Sequence, residues 1–314
     1  MAASKTKKKH RFGHVALVGR PNVGKSTLMN ALLGERIAIV SHHPQTTRDR
    51  LLGVVTTPSA QIAFLDTPGL HAARNKLGTF MNHEAEDAMA GADVVVFVTD
   101  VGRSPSGELG PDDRAILAKI PEGKPTLFVL NKIDRAQDKA ALIPYLEAAQ
   151  ASHEFAAYVP ISTRSKDGVS RVLAEIEALL PPGERHYDED MLTDRPARYL
   201  VAELVREQVL ALTREELPHG VAVQVEGWAD PSGRSKKTEI EVAIHVPKES
   251  HKKIVVGRGG AMLKEIGTRA RARAEKLTGR PIVLKLWVRV TEGWTESDEH
   301  LRDLGYHHEE GDER

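Results

Sequence analysis

The sequence predicts an α/β domain built on a mostly parallel sheet, followed by a small α+β domain with a different order of strands and helices. Two observations carry this. Short runs rich in Val, Ile and Leu recur through the first part of the chain without in–out alternation, separated by helix-length segments; strands buried on both faces look like this. In the last third the pattern becomes α-β-β-α-α-β. At 314 residues the chain is long enough for two such domains, each with its own core.

In the first part, HVALV at 14–18 is a strand, followed by a glycine-rich turn and a helix over 25–33. Segments 52–56 and 61–65 read as two strands around the turn Thr57-Pro58-Ser59. A helix over about 75–90 leads to VVVFV at 94–98, and TLFVL at 126–130 and AAYVP at 156–160 repeat the pattern with helices between and after. Pro181-Pro182-Gly183 stops the last helix. The second part reads as a helix over 198–215 and strands at 220–226 and 237–246 around the turn-rich WADPSGRS. Helices over 251–256 and 261–278, broken at Gly257-Arg258-Gly259-Gly260, and a strand at 282–290 complete it. The expected division is a basic disordered arm at 1–11, a first domain at 12–181, a charged linker at 182–196, a second domain at 197–291 and an acidic tail at 292–314.

The formal net charge of +0 conceals segregation. Residues 248–289 hold 12 Lys/Arg against 3 Asp/Glu, whereas 291–314 hold 9 acids and 2 basic residues. A basic segment beside an acidic, solvated end suits a polyanion binder. Absence of cysteine excludes disulfides and thiolate metal sites and suits a reducing compartment. No apolar run approaches the roughly 20 residues of a membrane span. The start, MAASKTKKKHR, lacks the apolar stretch of a secretory signal.

Gly19-Arg20-Pro21-Asn22-Val23-Gly24-Lys25-Ser26 matches G-x-x-x-x-G-K-[ST] and lies between a strand and a helix, with Thr27 next in that helix. The glycines let backbone N–H groups turn onto phosphates, and the helix N-terminus adds positive potential. Lys25, read as an exposed loop residue, would contact the β- and γ-phosphates, and the Ser26 hydroxyl would ligate Mg²⁺. Asp66-Thr67-Pro68-Gly69 follows another strand, so Asp66 could hold Mg²⁺ through water and the Gly69 N–H could meet the γ-phosphate. Asn131-Lys132-Ile133-Asp134 decides the base, because the Asp134 carboxylate can accept from guanine N1–H and the 2-amino group, which adenine lacks. Ser162-Thr163 then falls where a loop would back the guanine.

These motifs in this order, each at a strand's carboxyl end, describe a GTP-binding P-loop domain. Such a domain needs a threonine near 44–48 that reaches Mg²⁺ and the γ-phosphate; Thr47 is favoured over Thr46. Leu70 follows the D-T-P-G motif where Ras-like GTPases place a water-orienting glutamine. Leucine can neither accept nor donate, so slow intrinsic hydrolysis is expected; Thr47 and Gly69 help position water, and the base stays unassigned. A P-loop kinase or ATPase is argued against by residues 131–134, and a double-G-domain GTPase by the single P-loop.

Gly257-Arg258-Gly259-Gly260 carries G-x-x-G between two helices. In a KH module this loop clamps the sugar-phosphate backbone of about four nucleotides while the bases enter a neighbouring groove. Lys252, Lys253, Lys264, Arg269, Arg271 and Arg273 surround it, and the element order is that of a type II KH fold. Single-stranded RNA is the expected ligand.

The chain resembles the bacterial Era GTPase family from about residue 12 to 306, through GRPNVGKSTLMNALLG (19–34), PQTTR (44–48), DTPGLH (66–71), KLGTFMN (76–82), NKID (131–134), VVGRGGAMLKEIG (255–267) and GW…LRDLGY (293–306). It departs from the family where Ser162-Thr163 replaces the usual Ser-Ala. The resemblance implies a cytoplasmic ribosome-assembly factor that binds 16S rRNA near its 3′ end in the 30S subunit, with some peripheral membrane association and no DNA target. Another single-stranded RNA target, or a membrane or cell-cycle signalling role, is the alternative. A similarity to GTPases that bind potassium through a P-loop asparagine, together with Leu70, points to K⁺ at Asn22.

Overall fold

A computed structural model describes residues 10–43, 45–101, 109–136, 138, 140–213, 217, 220–231 and 236–307. By contacts the chain forms two compact units: Met1–Ala38, Thr47–His71 and Met81–Asp194 make the first, and Ile39–Thr46, Ala72–Phe80 and Arg195–Arg314 the second.

The first unit is built around a six-stranded sheet in the order β2-β3-β1-β4-β5-β6. In chain order its elements are β1 (Arg11–Val18), α1 (Lys25–Leu33), β2 (Leu51–Thr56), β3 (Ala60–Asp66), α2 (Lys76–Gly91, its first turn grouped with the second unit) and β4 (Val94–Asp100). There follow α3 (Pro111–Leu117), β5 (Thr126–Asn131), α4 (Ile143–Ser152), β6 (Ala157–Pro160) and α5 (Val169–Leu179). Only β2, the hairpin partner of β3, runs antiparallel. The apolar runs behave as expected: every residue of β3 and β5 is buried. The basic arm ends earlier than expected, because Arg11 opens β1 in register with Ala60 and bridges Pro182; residues 1–9 lie outside those described. Charged as it is, the segment after α5 is tied to the sheet. The side chain of the wholly buried Gln61 accepts from the His186 and Tyr187 N–H groups at 2.8 and 2.9 Å and donates to the Tyr187 carbonyl.

The second unit contains α6 (Ala197–Leu212), β7 (Ala222–Ala229), β8 (Thr238–Val246), α7 (Glu249–Val256), α8 (Ala261–Thr278), β9 (Ile282–Val290) and α9 (Asp298–Asp303). Its sheet is β7-β8-β9, with β8 antiparallel to β7 and parallel to β9. Ile240, Val242, Ile244 and Val246 of β8 meet Val201, Val205 and Val209 of α6 and Ile266, Ala270 and Ala274 of α8 in one apolar core. The segment 39–46 belongs here through the buried side chains of α6: Glu207 accepts from the Val40 N–H at 3.0 Å, and Arg206 donates to the Thr46 carbonyl.

The acidic stretch is not simply solvated. Trp294 is fully buried, donates to the Gly220 carbonyl at 3.1 Å and stacks on Tyr306. Among the described residues, Glu292, Glu296, Asp298, Glu299 and Asp303 occupy exposed positions while Trp294 and Leu301 turn inward, so net charge misleads about this segment. Residues 308–314 lie outside those described.

Candidate functional site

Each predicted nucleotide motif lies at the carboxyl end of a first-unit strand: Gly19 follows β1, Asp66 ends β3, Asn131 ends β5 and Ser162 follows β6. The loop after β1 needs its glycines. Gly19 sits at φ 149°, and a Cβ there would fall 2.1 Å from the Val98 carbonyl oxygen. Gly24, at φ 105°, would drive one to 2.3 Å from Asn131 Nδ2.

Ser26, Thr47 and Asp66 come together. Ser26 Oγ lies 2.9 Å from Thr47 Oγ1 and donates to Asp66 Oδ2 at 2.6 Å, while Thr47 donates to the same oxygen at 3.3 Å. Asp66 is fully buried, and its Oδ1 has no hydrogen-bond partner. This set of hard oxygens, one anionic and two neutral, fits Mg²⁺. Thr46 is not part of it, because its hydroxyl turns back to the His43 carbonyl at 2.7 Å.

Lys25 departs from expectation. It is only 6% exposed, and its Nζ donates to the Gly19 and Arg20 carbonyls at 2.9 and 3.1 Å. Burial lowers its pKa to about 8, partly offset by Asp66, and burial raises Asp66 to about 6 against the Ser26 hydrogen bond and Lys25. Two opposite charges each disfavoured by burial suit a site whose ligands bring the compensating charge.

The Arg20 side chain is engaged within the protein. Its buried guanidinium donates to Asp113 at 2.8 Å, Asp100 at 3.1 Å and Thr99 at 3.2 Å, which anchors the loop to β4 and α3. Asp113, which positions Arg20, is a residue that sequence reasoning missed; no local motif marks it. The Leu70 side chain belongs to the apolar core. Pro21 backs Gly69, whose Cβ would lie 2.6 Å from the Pro21 nitrogen, and Thr67 is tied to the Leu17 carbonyl at 2.8 Å. Val23 is buried, and Thr27 is partly buried in the first turn of α1.

The guanine motif is interlocked in the same way. Asn131 donates to the Val23 carbonyl at 2.8 Å and accepts from the Lys132 and Thr163 N–H groups at 2.7 and 3.2 Å. Lys132, at φ 61°, donates to the exposed Asn22's carbonyl at 2.6 Å and to Asp100 at 2.7 Å. The Ile133 N–H donates to the Ile161 carbonyl at 3.2 Å. Asp134 is exposed, and its carboxylate accepts from Ser162 Oγ at 2.6 Å, which holds its pKa below the usual range. Ser162 thus orients the Asp134 carboxylate.

In the second unit, Gly257, Gly259 and Gly260 all have positive φ and form the joint between α7 and α8. A Cβ at Gly257 would sit 2.6 Å from that of Met262. Lys253, Arg258, Gly259, Lys264 and Arg271 are exposed, with Lys252 partly buried behind them. Of the wider basic cluster, Arg269 pairs with Glu265 and Arg273 with Glu207, so these two have partners within the protein. Beside the loop lies a groove of about 530 Å³, lined by Gly260 of the joint, by Leu263, Lys264, Gly267, Thr268 and Arg271 of α8 and by Leu284 and Leu286 of β9.

Comparison with known proteins agrees with this division. Residues 14–132 match a family described as 50S ribosome-binding GTPase, and 216–295 match the KH domain. The chain is 45% identical to GTPase Era of Lacticaseibacillus paracasei, over 95% of this chain and 97% of that one. It is 42% identical to GTPase Era of Xanthomonas axonopodis, over 95% and 97%. It is similar to the crystal structure of Era in complex with MgGDPNP and nucleotides 1506–1542 of 16S ribosomal RNA, with TM-score 0.90 and 39% identity over 95% of this chain and 99% of that one. Aquifex aeolicus Era Y63A bound to GDP·AlF4⁻ gives TM-score 0.89 and 39% identity over 94% and 99%. The chain belongs to the Era family of GTPases.

Proposed function

We propose that this chain is a GTP-hydrolysing switch that binds the 3′ region of 16S rRNA through its second unit and acts in assembly of the 30S ribosomal subunit. The observation that carries the reading is the convergence of Ser26, Thr47 and Asp66 beside a P-loop whose chain also carries Asp134 and the glycine joint at 257–260. The Era relative solved with MgGDPNP and nucleotides 1506–1542 supplies the RNA.

Lys25 and the backbone N–H groups of the loop hold the β- and γ-phosphates, and the Gly69 N–H meets the γ-phosphate. Ser26 and Thr47 would hold Mg²⁺ directly and Asp66 through water; the ion supplies charge neutralisation to the phosphates. Asp134, oriented by Ser162, selects guanine, with Asn131, Lys132, Ile133 and Thr163 shaping the pocket. Leu70 cannot orient water, so slow turnover follows, and Asn22 would hold a K⁺ that would supply part of the electrostatic stabilisation. Equal turnover in K⁺ and Na⁺ would remove that assignment.

Among the described residues no helix is long and apolar enough to cross a membrane. We place the chain in the cytoplasm with a peripheral membrane fraction, which fractionation of cells tests. The experiment for the central reading is nucleotide competition together with sequencing of RNA crosslinked in cells. GTP should outcompete ATP, and reads should concentrate at the 3′ end of 16S rRNA; ATP preference or reads elsewhere would overturn it.

A further inference from the structure

Gly267 lies in the interior of α8, on the face that lines the groove beside the 257–260 joint. Glycine is among the poorest helix formers, because it loses most backbone freedom on folding. A glycine inside an 18-residue helix therefore asks for a reason. Backbone conformation gives none, since Gly267 is not among the glycines with positive φ. Crowding gives little. A Cβ built there meets only the Leu286 side chain, with Cδ1 at 3.2 Å and Cγ at 3.9 Å, and no backbone atom. A few tenths of an ångström of movement at the end of a flexible leucine would accommodate it.

What the absent methyl provides is depth in the groove. Along α8 the lining runs Leu263, Lys264, Gly267, Thr268 and Arg271, and Leu284 and Leu286 face it from β9. The bare helix backbone at Gly267 is thus flanked by apolar side chains and bordered by two exposed cations, Lys264 and Arg271. A flat ring with apolar faces suits the floor, and phosphates suit the rim. An unstacked nucleobase on its sugar-phosphate chain has both.

We infer that Gly267 sets the size limit of this groove: one unstacked base of the bound RNA lies directly on the α8 backbone at Gly267 against Leu286, and a methyl group there excludes it. The inference rests on the RNA-binding reading above. It makes Gly267 a specificity-determining residue at which the fold and the ligand have opposite preferences.

The test uses the full chain, the Gly267→Ala variant and an RNA spanning nucleotides 1506–1542 of 16S rRNA. Alanine is the better helix former, so the thermal midpoint should hold or rise by a few degrees, and GTP affinity should stay unchanged. RNA affinity should fall about tenfold or more. Should the variant instead melt earlier, a scan with RNAs carrying a single abasic nucleotide separates blocking from misfolding. At the seated position wild type and variant should bind equally, and elsewhere the alanine penalty should persist. An alanine affinity within twofold of wild type, or a penalty identical for every abasic RNA, overturns the inference while leaving RNA binding intact. No binding by the wild-type chain removes the RNA reading and this inference with it.

Discussion

The loop after β1 and the glycine joint of the second unit are both proposed phosphate sites, yet they are built in opposite ways. Around the first, functional groups are one another's partners: Asn131 holds Val23, Lys132 holds Asn22, Ser162 holds Asp134, and Lys25 is buried against its own loop. Around the second, Arg258 and Gly259 are exposed at a turn between helices, and Lys264 and Arg271 are exposed along α8. The first arrangement fixes geometry to the tolerance that phosphoryl transfer needs. The second leaves cations free to meet a polymer whose phosphates repeat. Substitutions that break an interlocking side-chain pair at the first should therefore disturb structure, and those at the second binding alone.

Lys25→Ala makes the largest difference. It removes the ammonium that would meet the phosphates, and GTP affinity should fall by roughly a thousandfold in titration calorimetry. Because burial disfavours the Lys25 charge, holding its pKa to about 8, thermal unfolding should change little. Near-native GTP affinity in the folded variant would show that this loop is not a phosphate site.

Asp113→Ala sharpens the contrast without touching the ligand. It leaves the buried Arg20 guanidinium with Asp100 and Thr99 as partners. Breaking a buried pair from one side costs about 3 kcal/mol, which denaturant titration would resolve. An unchanged midpoint would mean that Arg20 does not anchor the loop. A smaller effect is expected from Asp134→Asn. Guanine loses its acceptor, while the amide can donate to a 2-oxo group, so preference should move from GTP to xanthosine triphosphate by about tenfold or more in competition. Retained GTP preference would take Asp134 out of base recognition.

The same contrast governs what could be read from the sequence. Residues 19–26, 66–69, 131–134 and 257–260 are legible because their chemistry requires particular residue types at fixed local spacing and at element ends. Thr47 was separable from Thr46 by the same logic, and the hydroxyl geometry follows it. Partners far along the chain were not legible. Asp113 lies 93 residues from Arg20, and nothing local to either marks the pair. Burial of Lys25 is likewise a property of the assembled sheet. The 291–314 segment misled because its acids dominate the composition, whereas Trp294 and Leu301 decide where its beginning packs. Gly267 ends the motif at 255–267, but its position on a groove wall emerges only once α8 and β9 are side by side.

The most direct measurement is a paired titration of the Arg258→Asp/Gly259→Asp double variant with GTP and with the 1506–1542 RNA. Two carboxylates placed where phosphates must lie repel them, and a Cβ at Gly259, whose φ is 58°, hinders close backbone approach. RNA affinity should fall by about a hundredfold, wild-type affinity should weaken with rising salt, and GTP affinity should match the wild type. Undiminished RNA affinity, or a parallel loss of GTP binding, would contradict the account of two separately built phosphate sites on one chain.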